Sequence, residues 1–123
     1  MRVLLVDDEP NTRDVYGRLL ELAGHEVVTA ESAESAALAI EGGPFDAAII
    51  DLVLGGPDGL TVLEHLKRRH PAVRAVVVSA YEVPGALERA RALHVEGFLA
   101  KPVRWSDLQR ILEANLEDRE QRP

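Results

Sequence analysis

The sequence predicts a doubly wound α/β fold: one parallel sheet of five strands with helices on both faces. Two observations predict it. Short apolar runs alternate five times with longer segments of helical periodicity, and each crossover between parallel strands must lay its helix on one face of the sheet. The runs are also apolar throughout rather than at every second residue, as strands buried on both sides require. A third observation concerns where the runs end. Residues 2–6 lead into Asp7-Asp8-Glu9-Pro10, residues 47–50 into Asp51, residues 75–78 into Ser79, and residues 97–100 into Lys101-Pro102. Acids, a hydroxyl and an amine therefore stand where core strands surface.

Taken in order, the first strand and its acidic turn precede a helix in which Thr12, Val15, Tyr16, Leu19, Leu20 and Ala23 recur at helical spacing, with Gly24 where a C-terminal cap belongs. Val27-Val28-Thr29 marks a second strand over 26–30. Ser32 caps a second helix with a stripe of Ala33, Ala36, Ala37 and Ile40, stopped by Gly42-Gly43-Pro44. The third strand ends in Asp51, and the Gly- and Pro-rich segment after it is a loop. A helix over about 60–69 follows, with Leu60, Leu63 and Leu66 on one face and His70-Pro71 at its end. After the fourth strand, the turn-rich residues 81–85 give a mobile or late-starting fourth helix striped by Leu87, Ala90 and Leu93. The fifth strand spans 97–100, and the last helix carries Leu108, Ile111, Leu112 and Leu116. Residues 1–117 form the domain, and 118–123 are a polar tail, read as a frayed helix end or the start of a linker.

Composition narrows the function classes. A chain of 123 residues is one domain, able to bury roughly two-thirds of the surface its unfolded form exposes. Without cysteine there is no disulfide or thiolate metal site, which fits a reducing compartment. The apolar start is too short for a signal or membrane segment, so a cytoplasmic protein with no membrane partner is expected. A formal charge of −7, from 21 acids against 14 Lys and Arg, argues against direct contact with nucleic acid.

In open parallel sheets, ligands bind beyond the carboxyl ends of the strands, near the switch in strand order. If the strands are ordered 2-1-3-4-5, Asp7, Asp8 and Asp51 converge there, with Ser79 and Lys101 at the flank. Three carboxylates in one pocket demand a compensating cation. Magnesium suits them, since it takes oxygen ligands and is held by one or two carboxylates together with phosphate oxygens. A carboxylate flanked by a divalent ion and an ammonium is an acceptor for a phosphoryl group, because both cations neutralise charge on the transferring oxygens.

These residues closely resemble a response-regulator receiver domain, the CheY-like phosphoacceptor half of a two-component signalling pair, over essentially all of residues 1–117. The resemblance implies the flavodoxin-like sheet order 2-1-3-4-5. It implies Asp51 as the phosphorylated aspartate, and Asp7, Asp8, Asp51 and the backbone carbonyl of Val53 as ligands of Mg2+, with Mn2+ as the alternative. Ser79 corresponds to the hydroxyl that engages the phosphoryl oxygen, Lys101 to the lysine that pairs with it, and Phe98 to the aromatic that turns inward on activation. Lys101-Pro102 resembles the family's cis peptide, and Gly59 falls in register. Val53 and Tyr81 occupy positions that tune the lifetime of the acyl phosphate, and their bulk is expected to slow hydrolysis. Leu54-Gly55 departs from the usual Met-Pro. The implied partners are a sensor histidine kinase or histidine phosphotransfer protein, and an output domain or downstream protein. The implied state is a monomer that dimerises on phosphorylation.

Rival functions fit less well. A magnesium-dependent phosphohydrolase would want a further acid as general acid/base, and Val53 offers none. A flavin or nucleotide binder would meet repulsion from the acids after the first strand and finds no glycine-rich cradle. A phosphorylation-independent interaction module leaves the full set of acid, hydroxyl and lysine unexplained. Glu9 reads as a first-turn acid facing the helix dipole. Trp105 reads as packing under the last helix, and the four histidines, at turns and helix ends, receive no role.

Overall fold

The computed structural model of the chain describes residues 1–54, 59–79 and 85–121, with side chains through residue 113. Strands and helices alternate as β1 (Arg2–Val6), α1 (Pro10–Leu22), β2 (Glu26–Ala30), α2 (Ala33–Glu41), β3 (Ala47–Asp51), α3 (Gly59–Arg69), β4 (Arg74–Ser79), α4 (Ala86–Ala92), β5 (Gly97–Ala100) and α5 (Trp105–Gln121). The sheet is parallel in the order β2-β1-β3-β4-β5, as expected. Register pairs Val6 with Ile50, Asp51 with Val78 and Ser79 with Ala100, so the strand ends carrying polar groups are level with one another.

Period-two alternation divides the apolar strand residues between two cores. Leu4, Val6, Ala48, Ile50, Ala75 and Val77 face α2, α3 and α4, where Ile40, Leu63, Leu66 and Ala90 meet them. Val3, Leu5, Ala47, Ile49, Val76 and Val78 face α1 and α5, against Leu20, Leu108 and Leu112. The central strands β1, β3 and β4 are almost wholly buried, while the edge strands β2 and β5 are half-buried.

Local signals mostly hold. Ser32 caps α2 in a reciprocal box with Ser35, and Gly24 takes φ 95° just past α1. The stripe on α1 is shifted, however. Val15 is 55% exposed, and Gly17 is buried and faces Leu5 and Thr29. Helix α4 starts late, at Ala86, with Ala86 and Ala90 buried and Leu87 partly exposed. The last helix continues through Gln121, so residues 118–121 are helical.

Candidate functional site

Asp7 is the first residue past β1 and is held on every side. Its N–H donates to Ala30 O (3.1 Å), extending the β1–β2 pairing. Its own carbonyl accepts Arg13 Nη1 (2.8 Å), Oδ1 accepts the Glu9 N–H (2.9 Å), and Oδ2 accepts Lys101 Nζ (3.1 Å). Asp51, the last residue of β3, presents Oδ1 to the Val53 N–H (2.9 Å) and Oδ2 to Lys101 Nζ (2.8 Å). Both aspartates are only 4% exposed. Asp8 is exposed, yet its carboxylate reaches the same point: one oxygen from each of Asp7, Asp8 and Asp51 lies within 4.8 Å of the others.

Gly59 explains how Asp51 keeps its place. A Cβ there would sit 2.1 Å from the Asp51 carbonyl oxygen, so only glycine lets α3 start against the end of β3. The Gly59 N–H donates to Leu52 O (2.9 Å) and fixes that approach.

Lys101 follows β5, where its N–H donates to Ser79 O (2.7 Å). Burial disfavours the Lys101 ammonium, but hydrogen bonds from it to Asp51 and Asp7, and the charges of both, outweigh burial and hold it above the ordinary lysine value. Three carboxylates against this one ammonium leave two negative charges uncompensated. An all-oxygen donor set with that charge fits a hard divalent cation.

The sequence-predicted residues are thus sorted by the fold. Asp7, Asp8, Asp51 and Lys101 come together, and Ser79, 4% exposed, ends β4 beside the Lys101 backbone. The Lys101-Pro102 peptide is cis. Val53 is half-buried and uses its N–H on Asp51. Phe98 is half-buried and packs against the α2–α4 core. Tyr81 lies outside the described residues. Glu9 is the N-cap of α1, and hydrogen bonds from Thr12 and then Asn11 hold its carboxyl below the usual carboxylate range. His65 and His70 tie α3 to the end of α2, through Glu41 (3.0 Å) and Ile40 O (2.8 Å) respectively.

Two residues of the site escaped sequence reasoning. Arg13 secures the Asp7 carbonyl and pairs loosely with Glu31 (3.8 Å); an arginine one turn into a helix that follows an acidic pair was the available signal. Tyr16, in α1, donates its hydroxyl to Val103 O, and nothing in helical spacing announces so distant a partner. Between α1, α5 and the sheet lies an open pocket of about 330 Å³, lined among others by Asp7, Asp51, Lys101, Tyr16, Val78 and Val103.

Known proteins share this fold. Residues 3–113 match the family described as response regulator receiver domain. The sensory/regulatory protein RpfC of Xanthomonas campestris pv. campestris is 37% identical over 107 residues, which cover 84% of this chain and 15% of that protein, so the chain spans a small part of that curated relative. The CheY-like receiver domain protein of Methanospirillum hungatei superposes with a TM-score of 0.92 at 27% identity, covering 98% of this chain and 96% of that one. The response regulator TrrA of Thermotoga maritima, solved in complex with Mg(2+)-BeF, superposes with a TM-score of 0.81 at 26% identity, covering 92% and 96%. With its sheet order, its acidic pocket and a match over nearly its whole length, the chain belongs to the response regulator receiver domain family.

Proposed function

We propose that the chain is a phosphorylation switch that takes a phosphoryl group onto Asp51 from a phosphohistidine of a sensor histidine kinase or histidine phosphotransfer protein. The observation that carries this reading is Lys101 spanning Asp7 and Asp51 while Asp8 closes the same pocket. Asp7, Asp8, Asp51 and the Val53 carbonyl would hold Mg2+, or Mn2+ in its place. When bound, the ion supplies charge neutralisation at the phosphoryl oxygens.

In the transfer, a carboxylate oxygen of Asp51 forms a bond to phosphorus as the bond from phosphorus to the donor imidazole nitrogen breaks, and that nitrogen keeps the electron pair. Val53 N–H and Lys101 aim the Asp51 oxygens. In the product, Lys101 pairs with the phosphoryl group and Ser79 donates its hydroxyl to it. Movement of Ser79, with Phe98 turning inward, would reshape the face formed by α4, β5 and α5 for an output domain or downstream protein. The chain assists its own phosphorylation and dephosphorylation without being a metabolic enzyme. It works in the cytoplasm as a monomer that dimerises when modified, and contacts neither membrane nor nucleic acid. No helix among the described residues is long and apolar enough to cross a bilayer. The receiver unit would be residues 1–117, with 118–123 leading outward from it.

Incubation with acetyl phosphate and Mg2+, followed by intact mass measurement, tests the proposal. One phosphoryl adduct is expected; it should need Mg2+ and be lost completely in Asp51→Asn. Turnover of many equivalents of an unrelated phosphoester would replace the switch with a hydrolase. A second measurement concerns lifetime. Val53→Asn combined with Tyr81→Ala should hydrolyse the acyl phosphate several-fold faster than the parent chain, and an unchanged or slower decay would remove both residues from that role.

A further inference from the structure

Three observations converge on the loop between β5 and α5. Tyr16 and Val103 are 87 residues apart, and the Tyr16 hydroxyl donates to the Val103 carbonyl, tying α1 to the loop two residues after Lys101. Tyr16, Val103, Lys101 and Pro102 all line the open pocket of about 330 Å³ together with Asp7 and Asp51, so this side of the loop borders solvent-accessible space. Side-chain atoms that border an open pocket lack packing partners on that side. Lys101 nonetheless reaches two carboxylates at 2.8 and 3.1 Å, a geometry that tolerates little sagging of its backbone. Burial raises the Tyr16 pKa, and Asp7 adds to this while Lys101 opposes it, so the phenol stays protonated as a donor.

We infer that Tyr16 is a positioning residue for Lys101: its hydroxyl ties down the loop at the edge of the pocket and keeps the ammonium poised between Asp7 and Asp51. The inference rests on the phosphoacceptor reading for its consequence, but not for its structural content. It is a device of this chain's α1, on the wall of the pocket onto which Asp7 and Asp51 open.

Tyr16→Phe keeps the ring and deletes the donor. With acetyl phosphate and Mg2+, the rate constant for phosphorylation should fall about three- to tenfold, the range expected for one hydrogen bond. In the metal-free protein the emission of Trp105, the single tryptophan and two residues beyond Val103, should shift. In a double-mutant cycle with Lys101→Ala, Tyr16→Phe should cost nothing further in rate, because its action passes through the lysine. Additive losses would make Tyr16 a packing residue and overturn the inference. If the parent chain takes no phosphoryl group, the phosphoacceptor reading fails, and the metal-free arm then decides alone: an unchanged Trp105 signal overturns the tie. Should Tyr16→Phe not fold, a ¹³C label in the Val103 carbonyl of the unaltered protein reads the same bond. A stretch lowered in frequency supports it, and a stretch at the unbonded frequency refutes it.

Discussion

Val77 and Val78 are neighbours on β4 that point to opposite sides of the sheet and meet different surroundings. Val77 lies fully buried among the side chains of the α2–α4 face, part of the larger core among the described residues. Val78 faces α1 and α5 and borders the open pocket that Asp7 and Asp51 also line. The glycines repeat the contrast. A Cβ added at Gly59, where α3 meets β3, would meet rigid backbone at 2.1 Å, whereas one added at Gly97 on β5 would meet at 2.8 Å the terminal methyl of Ile111, which can swing away. One side of the sheet is a close-packed scaffold that fixes where Asp51 sits. The other is looser and holds the parts tied by hydrogen bonds, Lys101 and Tyr16.

Substitutions at matched positions can break this contrast. Gly59→Ala should have the largest effect, a loss of about 3 kcal/mol in denaturant unfolding, with phosphorylation impaired as Asp51 is pushed aside. Full stability in that variant would show the approach to be slack. Val77→Ile, overpacking the dense side, should cost about 1–3 kcal/mol. Val78→Ile places the same extra methylene at the wall of the open pocket and should instead be neutral or stabilise by about 0.5–1 kcal/mol. Equal losses for the two valines would erase the distinction between the faces. Smallest of all, Gly97→Ala should cost about 1 kcal/mol or less, since only the end of Ile111 must move.

The strands were legible because a parallel sheet buried on both faces needs continuous apolar runs, and the polar groups that end those runs had nowhere else to surface. The cluster of Asp7, Asp8, Asp51 and Lys101 was legible for the same reason, once strand order was supplied by the family resemblance. Helix faces were less so. The α1 stripe counted Val15 and passed over Gly17, because hydrophobicity scores side chains and a glycine facing the sheet has none to score. Glu9 gave a charge and a place near the dipole, but its capping bonds to the N–H groups of Asn11 and Thr12 are a matter of backbone geometry. The tie from Tyr16 to Val103 joins a side chain to a carbonyl, and a carbonyl carries no residue identity for a sequence to display.

Lys101 bonds to partners 94 and 50 residues earlier in the chain, one just past β1 and one at the end of β3. A polypeptide made only through β3 therefore lacks the one ammonium that bonds to both carboxylates, and the two acids wait at the carboxyl ends of β1 and β3 for their counter-charge.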